Sequence, residues 1–238
     1  MMGDMPARYD VIGLDADDTL WHSEDTFHQV EARFVELVSP YASIGVDVAA
    51  ALRATERAQL PIAGYGVKAF TLSMVQAAIT VSEGRVPALV IGQLLELGMD
   101  MLTETVRLLP DVPAVLEDLG KDHRLVLITK GDLVHQTRKV TTSGIAHHFE
   151  HVEVVLEKDA DTYARILGEV GVAPERFCMV GNSVRSDILP VLSLGGHAVH
   201  IPYPLLWEHE HVDHDEDLDE LGSISELPAA LREAHATS

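Results

Sequence analysis

The alternation of short apolar runs with helical patterns is the feature that most constrains what this chain can fold into. Five runs rich in β-branched residues are bounded by turn-forming residues, and we predict them to be strands: Tyr9–Asp15, Arg124–Thr129, His151–Leu156, Phe177–Gly181 and Ala198–Ile201. Patterns typical of helices separate the later runs: Val112–Leu119, Leu133–Ser143, Thr162–Val170 and Asp187–Leu194. Near-continuous apolar strands that alternate with helices indicate a parallel sheet covered on both faces, so we predict a doubly wound α/β fold.

The stretch between the first two predicted strands breaks this alternation. From about Trp21 to Leu108, helical patterns follow one another without a convincing strand: His22–Val38, Val48–Gln59, Ala69–Ser82 and Pro87–Leu108. A helical block of this length, inserted after one strand, indicates a second and smaller domain. We therefore predict an α/β core domain of residues 1–20 and 109–238 and a helical domain of residues 21–108.

The charge balance limits the classes of partner. The chain of 238 residues carries 38 acidic and 17 basic residues, a formal net charge of -21 at pH 7. A nucleic-acid partner is not expected, because binding a phosphate backbone needs clustered Lys and Arg. Since such an acidic surface also repels a small anion, an anionic substrate would need local positive charge at its site.

Cysteine content and hydropathy exclude further classes of protein. The single cysteine, Cys178, excludes an intramolecular disulfide and a paired-cysteine zinc site. The most apolar long stretch, Pro87–Leu102, contains Gln93, Glu96 and Asp100 and is therefore not expected to span a membrane. We expect a cytoplasmic protein with no membrane partner, and the sequence makes no prediction of its oligomeric state.

Two carboxylates follow the first predicted strand. Asp15 and Asp17 are separated by one residue and point the same way, so their mutual repulsion is severe unless a cation lies between them. Mg²⁺ is a hard cation that suits such oxygen ligands. The other interpretation is an acidic turn in which Asp18 or Thr19 caps the next helix.

A hydroxyl and a glycine-containing turn follow the second predicted strand. Thr129 offers a side-chain donor, and the turn through Lys130 and Gly131 offers free backbone N–H groups, which together can bind a phosphate. In the alternative interpretation, Thr129 merely ends the strand and Asp132 caps the following helix.

A lysine follows the third predicted strand. Lys158 at the end of the strand would neutralise both Asp15 and a bound phosphoryl group. The alternative is an exposed lysine paired with Glu157 or Asp159, and for a lysine considered alone that alternative is favoured.

Oxygen ligands follow the fourth predicted strand. Gly181 allows a tight exit, after which Asn182 and Asp187 supply side-chain oxygens from the loop and the start of a helix. The alternative is that Ser186 or Asp187 simply caps that helix.

In this order, the motifs resemble those of the haloacid dehalogenase-like (HAD) hydrolase superfamily over roughly residues 9–205. The family pattern DxDx[TV] is matched by Asp15–Thr19, the Ser or Thr after a strand by Thr129, the lysine by Lys158, and GDxxxxD by Gly181–Asp187. The helical stretch resembles the α-helical C1 cap domain of that family. The resemblance thus implies a Rossmann-like core with a helical cap inserted after the first strand.

The resemblance also implies a reaction and a set of roles. Asp15 would attack phosphorus and form an aspartyl-phosphate, while Asp17 would act as general acid and then as general base. Thr129, Lys158 and backbone N–H groups near Ala16 and Lys130 would bind the phosphoryl group. The implied activity is hydrolysis of a small phosphorylated metabolite.

Mg²⁺ is the cofactor that the resemblance implies. It would be held by Asp15, the backbone carbonyl of Asp17, Asn182 and Asp187. Asn182 stands where the family usually has Asp, and its amide brings no negative charge. We therefore expect a weaker affinity for Mg²⁺, without loss of catalysis.

Other functions remain open from the sequence. A 2-haloacid dehalogenase also uses an aspartate nucleophile, but Asp17 argues against it because those enzymes usually carry an aromatic residue there. A phosphonatase would need a cap lysine, for which Lys68 is the nearest candidate. A regulatory module could keep the phosphate site without turnover. Tyr65 and Lys68, in a glycine-flanked stretch of the predicted cap, are our candidates for substrate selectivity.

An acidic segment rich in histidine follows the last predicted strand. Residues 207–220 contain eight acidic residues, three histidines and no basic residue. The histidines, His209, His211 and His214, could bind a transition metal together with nearby carboxylates. We favour a solvated charged loop.

Overall fold

A single parallel sheet organises the chain in this computed structural model, which describes residues 8–205, 210, 212, 216 and 218–236. Its strands lie in the order β3-β2-β1-β4-β5-β6. They are β1 Val11–Leu14, β2 Arg124–Lys130, β3 His151–Val155, β4 Phe177–Gly181, β5 His197–His200 and β6 Asp219–Glu220. The predicted α/β class and the doubly wound parallel sheet are confirmed.

Helices connect these strands and form the insertion after β1. They are α1 Glu24–Val38, α2 Val48–Ala63, α3 Val67–Val81, α4 Ala88–Thr103, α5 Val112–Leu119, α6 Leu133–Thr142, α7 Ala160–Val170, α8 Leu189–Ser193 and α9 Leu227–Ala236. A π-helical turn, Val184–Ile188, precedes α8. Among the described helices, none is both long and apolar enough to cross a bilayer.

The central strand β1 is buried on both faces, as a parallel sheet requires. Ile12 and Leu14 belong to one apolar cluster and Val11 belongs to the cluster on the opposite face. Gly13 makes room for a neighbour, because a Cβ atom there would lie 2.5 Å from Cζ of Phe177. Packing on both faces therefore holds β1 in the middle of the sheet and fixes the position of its carboxyl end.

Several predicted helix boundaries differ from the structure, among them the end of α2, which lies at Ala63 and not at Gln59. The chain leaves α4 at Thr103, not at Leu108, because residues near 108 pair with Trp21 instead. Helix α7 begins at Ala160, where Asp159 caps it by accepting the backbone N–H of Thr162 at 2.8 Å. The predicted helix 187–194 is a π-helical turn followed by α8. Strand β6, which has only two residues, and helix α9 are not among the predicted elements.

Contacts within the chain group its residues into two units. One consists of Met1–Glu24, Val106–Lys130 and Thr137–Ser238 and contains the sheet. The other consists of Asp25–Thr105 and Gly131–Gln136 and has its own apolar core. This helical unit begins and ends three or four residues inside the predicted range 21–108 and includes a segment that follows β2.

Candidate active site

The first four strands end at the same edge of the sheet. Leu14 at the end of β1 is in register with Leu127 of β2 and with Val180 of β4. The backbone N–H of Asp15 continues this pairing by donating to the carbonyl of Val180 at 2.9 Å. Because all strands are parallel, the loops after β1, β2, β3 and β4 bring their side chains to this edge.

Lys158 joins the loop after β1 to the loop after β4. Its ammonium group donates to Oδ1 of Asp187 at 2.6 Å and to Oδ1 of Asp15. The three side chains are buried, with that of Lys158 only 2% exposed. The alternative pairing of Lys158 with Glu157 or Asp159 at the surface is therefore wrong. Asp15 Oδ2 is also buried and has no hydrogen-bond partner in the described part of the chain.

Burial and the charges of the ion-pair partners have opposite effects on the pKa values of Asp15 and Lys158. Burial raises the pKa of Asp15 to about 7, although the ammonium of Lys158 opposes the shift. The charges of Asp187 and Asp17 add to the increase. Burial alone would lower the pKa of Lys158, but the two carboxylates outweigh it and raise that pKa. Lys158 therefore remains a cation at neutral pH.

Gly181 is required by the position of Asp187. A Cβ atom at residue 181 would lie 2.2 Å from Oδ2 of Asp187, well inside van der Waals contact. That oxygen accepts the backbone N–H of Ser183 at 3.0 Å, which holds the carboxylate against the turn after β4. Glycine at this strand end therefore allows the buried carboxylate to approach the backbone.

Asp17 is held by two donors at one oxygen. The indole N–H of Trp21 donates to Asp17 Oδ1 at 2.6 Å, and the ammonium of Lys139 donates to the same oxygen. The Asp17 side chain is 28% exposed. Sequence reasoning missed Lys139, which lies in the last turn of α6 and carries no local motif that marks it as functional.

A third lysine at this edge, Lys130, also pairs with a carboxylate. Lys130 donates to Oγ of Ser186 at 2.9 Å and to Oε1 of Glu210 at 2.5 Å. Glu210 also accepts from Oγ of Ser186 at 2.6 Å and from Oγ of Ser183. Burial alone would raise the pKa of Glu210, but Lys130 and the serine hydroxyls outweigh it and hold that pKa at about 2.

Glu210 corrects the interpretation of the acidic segment as a uniformly solvated loop. The local sequence, with acidic residues on both sides, gave no signal for this contact. Trp207, His209, His211 and His214 lie outside the described residues, as do several of the acidic ones.

Thr129 and Asn182 also lie at this edge. Thr129 is buried at the end of β2, next to the backbone of Lys130. Asn182 is half-buried directly after β4, and its backbone carbonyl accepts from Nε2 of His200 at 3.1 Å. The predicted core site residues are thus all placed on the loops or strand ends of one sheet edge.

Helix capping was the alternative role for several of these residues, and some of them do accept backbone N–H groups at the start of a helix. Asp18 accepts the backbone N–H of Ser23 at 2.8 Å and that of Glu24, at the start of α1. Asp132 accepts the backbone N–H of His135 at 2.9 Å in α6. After β4, Ser183 is the capping residue, not Ser186 or Asp187.

The two selectivity candidates belong to the helical unit. Tyr65 lies between the positive-φ residues Gly64 and Gly66, just before α3. Lys68 donates to Oδ1 of Asp132 at 2.9 Å, within the segment that groups with this unit. That ion pair is half-exposed, and the predicted role of both residues in selectivity stays a prediction.

One other cluster of possible metal ligands occurs in the described part of the chain. His151, Glu153 and Glu169 place ligand atoms within 4.8 Å of one another, on β3 and α7. Arg165 already pairs with both glutamates, at 3.3 Å and 2.9 Å. The cluster is therefore an ion-pair network as it stands.

Comparison with known proteins finds the same family that the order of the motifs indicates. A family model for haloacid dehalogenase-like hydrolases matches residues 9–195. Glyceraldehyde 3-phosphate phosphatase of Methanothermobacter thermautotrophicus is 33% identical over 134 residues, which make up 53% of this chain and 59% of that relative. The match thus spans little more than half the length of that curated relative.

Solved structures extend the similarity over nearly the whole chain. A haloacid dehalogenase-like family hydrolase from Xanthomonas campestris is 41% identical, with a TM-score of 0.87 over 97% of this chain and 94% of that chain. A 2-haloacid dehalogenase from Pseudomonas syringae pv. tomato shares the fold, at 21% identity and a TM-score of 0.66 over 95% of this chain and 99% of that chain. With its sheet edge, motif order and family match, this chain belongs to the haloacid dehalogenase-like hydrolase family.

Proposed function

We propose that this hydrolase is a Mg²⁺-dependent phosphatase that cleaves small phosphate monoesters through an aspartyl-phosphate. The observation that carries the proposal is the unpartnered oxygen Oδ2 of Asp15, buried beside the ammonium of Lys158. A buried carboxylate oxygen without a donor is costly unless a ligand or a reacting atom meets it. A nucleophile that attacks phosphorus needs such an oxygen.

The side chains around Asp15 support two successive displacements. In the first, Asp15 attacks phosphorus, the bond to the ester oxygen breaks, and Asp17 donates a proton to the leaving oxygen. In the second, Asp17 removes a proton from water, which attacks phosphorus and releases Asp15 and inorganic phosphate. Lys158, Thr129 and the backbone N–H groups near Lys130 would stabilise the charge of the phosphoryl group in both steps.

The donor set at this edge suits Mg²⁺. The carboxylates of Asp15 and Asp187, the amide oxygen of Asn182 and the backbone carbonyl of Asp17 would hold the ion, since Mg²⁺ prefers hard oxygen ligands. The buried Oδ2 of Asp15, which has no hydrogen-bond partner among the described residues, is an oxygen that a metal ion would satisfy. When bound, Mg²⁺ would reduce the repulsion between the attacking carboxylate and the phosphate.

A small phosphorylated metabolite is the substrate class we propose. The curated relative that is 33% identical over 134 residues is named a phosphatase of glyceraldehyde 3-phosphate. The net charge of -21 argues against a nucleic-acid substrate. At the site itself, Lys130, Lys139 and Lys158 offset the charges of the carboxylates that they pair with, so a small phosphate ester is repelled less there than by the acidic surface.

Hydrolysis of 4-nitrophenyl phosphate with and without Mg²⁺ tests this proposal. We expect Asp15→Asn to lower kcat by at least about a thousandfold, because it removes the nucleophile. Asp10→Asn is the matched control: Asp10 stands just before β1, pairs with Arg176 and should leave kcat unchanged. Halide release from a 2-haloacid with no phosphatase activity would favour a dehalogenase, and phosphate binding without turnover would favour a regulatory module.

The metal is tested separately by titration with Mg²⁺. We expect Asn182→Asp to require less Mg²⁺ for half-maximal activity than the wild type, because it adds a negative charge among the proposed ligands. Calorimetry with Mg²⁺ alone should show the same order of affinities. Equal Mg²⁺ dependence of the two proteins would contradict this role of Asn182.

A further inference from the structure

Three of the five lysines in this chain lie at the carboxyl edge of the sheet, each against a different carboxylate. Lys158 pairs with Asp15 and Asp187, and Lys130 pairs with Glu210. Lys139 pairs with Asp17. The first two lysines follow strands whose motifs predict a phosphate site, but Lys139 comes from the end of helix α6 and has no place in the motif order.

Lys139, Trp21 and Asp17 form a closed set of contacts. The ammonium of Lys139 lies 5.5 Å from the centroid of the Trp21 ring, within the range of a cation–π interaction. Both the ammonium and the indole N–H donate to Oδ1 of Asp17. Each of the three groups therefore contacts the other two.

Trp21 is a rigid member of this set. Its side chain is fully buried, and its backbone carbonyl accepts the N–H of Asp18 at 2.7 Å. The same turn is closed by the N–H of Leu20, which donates to the carbonyl of Ala16 at 2.8 Å. The indole therefore comes from the same turn as Asp17, whereas Lys139 is the donor that ties Asp17 to a different part of the core.

The Asp17 side chain is partly exposed, so burial alone does not fix its orientation. A partly exposed carboxylate samples several rotamers, and ordering it costs free energy. Two donors at Oδ1 hold the group in one orientation, and the Lys139 side chain is only 12% exposed, which makes its ion pair well defined. A group that transfers protons must be held within reach of the reacting oxygen.

We propose that Lys139 is a positioning residue that acts through Asp17 and keeps its carboxylate oriented for proton transfer. This inference rests on the proposed phosphatase function, in which Asp17 protonates the leaving oxygen. Lys139 itself need not contact the substrate. Removing Lys139 should therefore slow hydrolysis more for a substrate whose leaving group depends more on protonation by Asp17.

Two aryl phosphates and a set of Lys139 variants test the inference. Phenolate is a poorer leaving group than 4-nitrophenolate, so its departure depends more on protonation. We expect Lys139→Met to lower kcat/KM for phenyl phosphate by about tenfold or more and that for 4-nitrophenyl phosphate by less. Lys139→Arg should recover most of the loss, since arginine keeps the charge and packs on an aromatic ring.

A double-mutant cycle shows whether the effect passes through Asp17. In the Asp17→Asn background, Lys139→Met should cause no further loss, because the group it positions is already gone. Lys121→Met is the matched control, since Lys121 is an exposed lysine that pairs with Asp118 and precedes the amino end of β2. It should leave both kcat/KM values unchanged.

Each remaining outcome decides the inference. Unchanged kcat/KM in Lys139→Met, or an equal further loss in the Asp17→Asn background, would overturn it. If Lys139→Met does not fold by circular dichroism, Trp21→Phe removes the other donor to Oδ1 and should show the same dependence on the leaving group; equal loss on both esters would overturn the inference. A wild type that hydrolyses neither ester would instead contradict the proposed function, and this inference with it.

Discussion

The two ends of strand β1 carry the same residue type in opposite environments. Asp10 precedes the strand and forms a bidentate pair with Arg176, at 2.6 Å and 3.1 Å. Asp15 follows the strand, and its Oδ1 pairs with Lys158 while its Oδ2 has no described partner. About half of the Asp10 side chain is exposed, whereas Asp15 is buried.

The difference shows how burial decides the chemistry of an aspartate beside a cation. The hydrogen bond from Arg176 lowers the pKa of Asp10, and water screens what remains of its charge. Burial raises the pKa of Asp15 to about 7 in spite of Lys158. The planar guanidinium satisfies both oxygens of one carboxylate, whereas the ammonium is shared between two carboxylates and leaves one oxygen for chemistry.

Removing the cation that pairs with the aspartate should lower the free energy of unfolding most at the buried carboxyl end of β1. Lys158→Met leaves Asp15 and Asp187 buried without a counter-charge, so we expect the free energy of unfolding at pH 7 to fall by about 3–5 kcal/mol. Because the carboxylates raise the pKa of Lys158, the stabilisation is fully present at neutral pH and is lost only at strongly alkaline pH. Urea denaturation measures the change.

The matched substitution at the exposed end is Arg176→Met. Its unfolding transition should stay close to that of the wild type, because the Arg176–Asp10 pair is exposed and screened. Equal destabilisation by the two substitutions would show that burial is not what distinguishes the two ends of the sheet.

A smaller and pH-dependent effect is expected at Glu210. Its pKa, held at about 2 against an ordinary value of 4.5, means that its ionised form stabilises the fold above pH 4.5 and loses this contribution as the pH falls toward 2. Glu210→Gln should therefore lower the free energy of unfolding by roughly 2 kcal/mol at pH 7, and the difference should shrink between pH 4.5 and pH 2.

Glu216→Gln is the control for this measurement. Glu216 is an exposed acidic residue of the same segment and should show no comparable loss. A difference between wild type and Glu210→Gln that stays constant from pH 7 to pH 2 would mean that the charge of Glu210 does not stabilise the edge.

The parts of this site that follow directly from strand ends could be predicted from the sequence. Asp15, Thr129 and Lys158 lie at the end of an apolar run or just after it, and Asp187 lies in the turn that follows the fourth run. The parallel sheet brings the ends of such runs to one edge. The need for Gly181 in the fourth motif could also be predicted, and the structure explains it by the close approach of Asp187 to the backbone.

The parts that depend on contacts between distant segments could not be predicted. Lys139 lies 122 residues from Asp17, and Glu210 lies 80 residues from Lys130. A lysine at the end of a helix and a glutamate among other acidic residues are both typical of solvated surfaces. Only the path of the chain in three dimensions turns them into partly buried ion pairs.

The smallest expected effect is at a second exposed pair on the amino side of the sheet. Arg124, at the start of β2, makes a bidentate pair with Glu150 at 2.7 Å and 2.8 Å, and the hydrogen bond from Arg124 lowers the pKa of Glu150. A double-mutant cycle of Arg124→Met and Glu150→Gln should give a coupling below about 1 kcal/mol, decreasing with added salt. Both side chains are about half-exposed, so solvent already screens the charges that the bidentate geometry brings together. A coupling as large as the loss in Lys158→Met, unaffected by salt, would mean that geometry outweighs burial in setting the strength of these pairs.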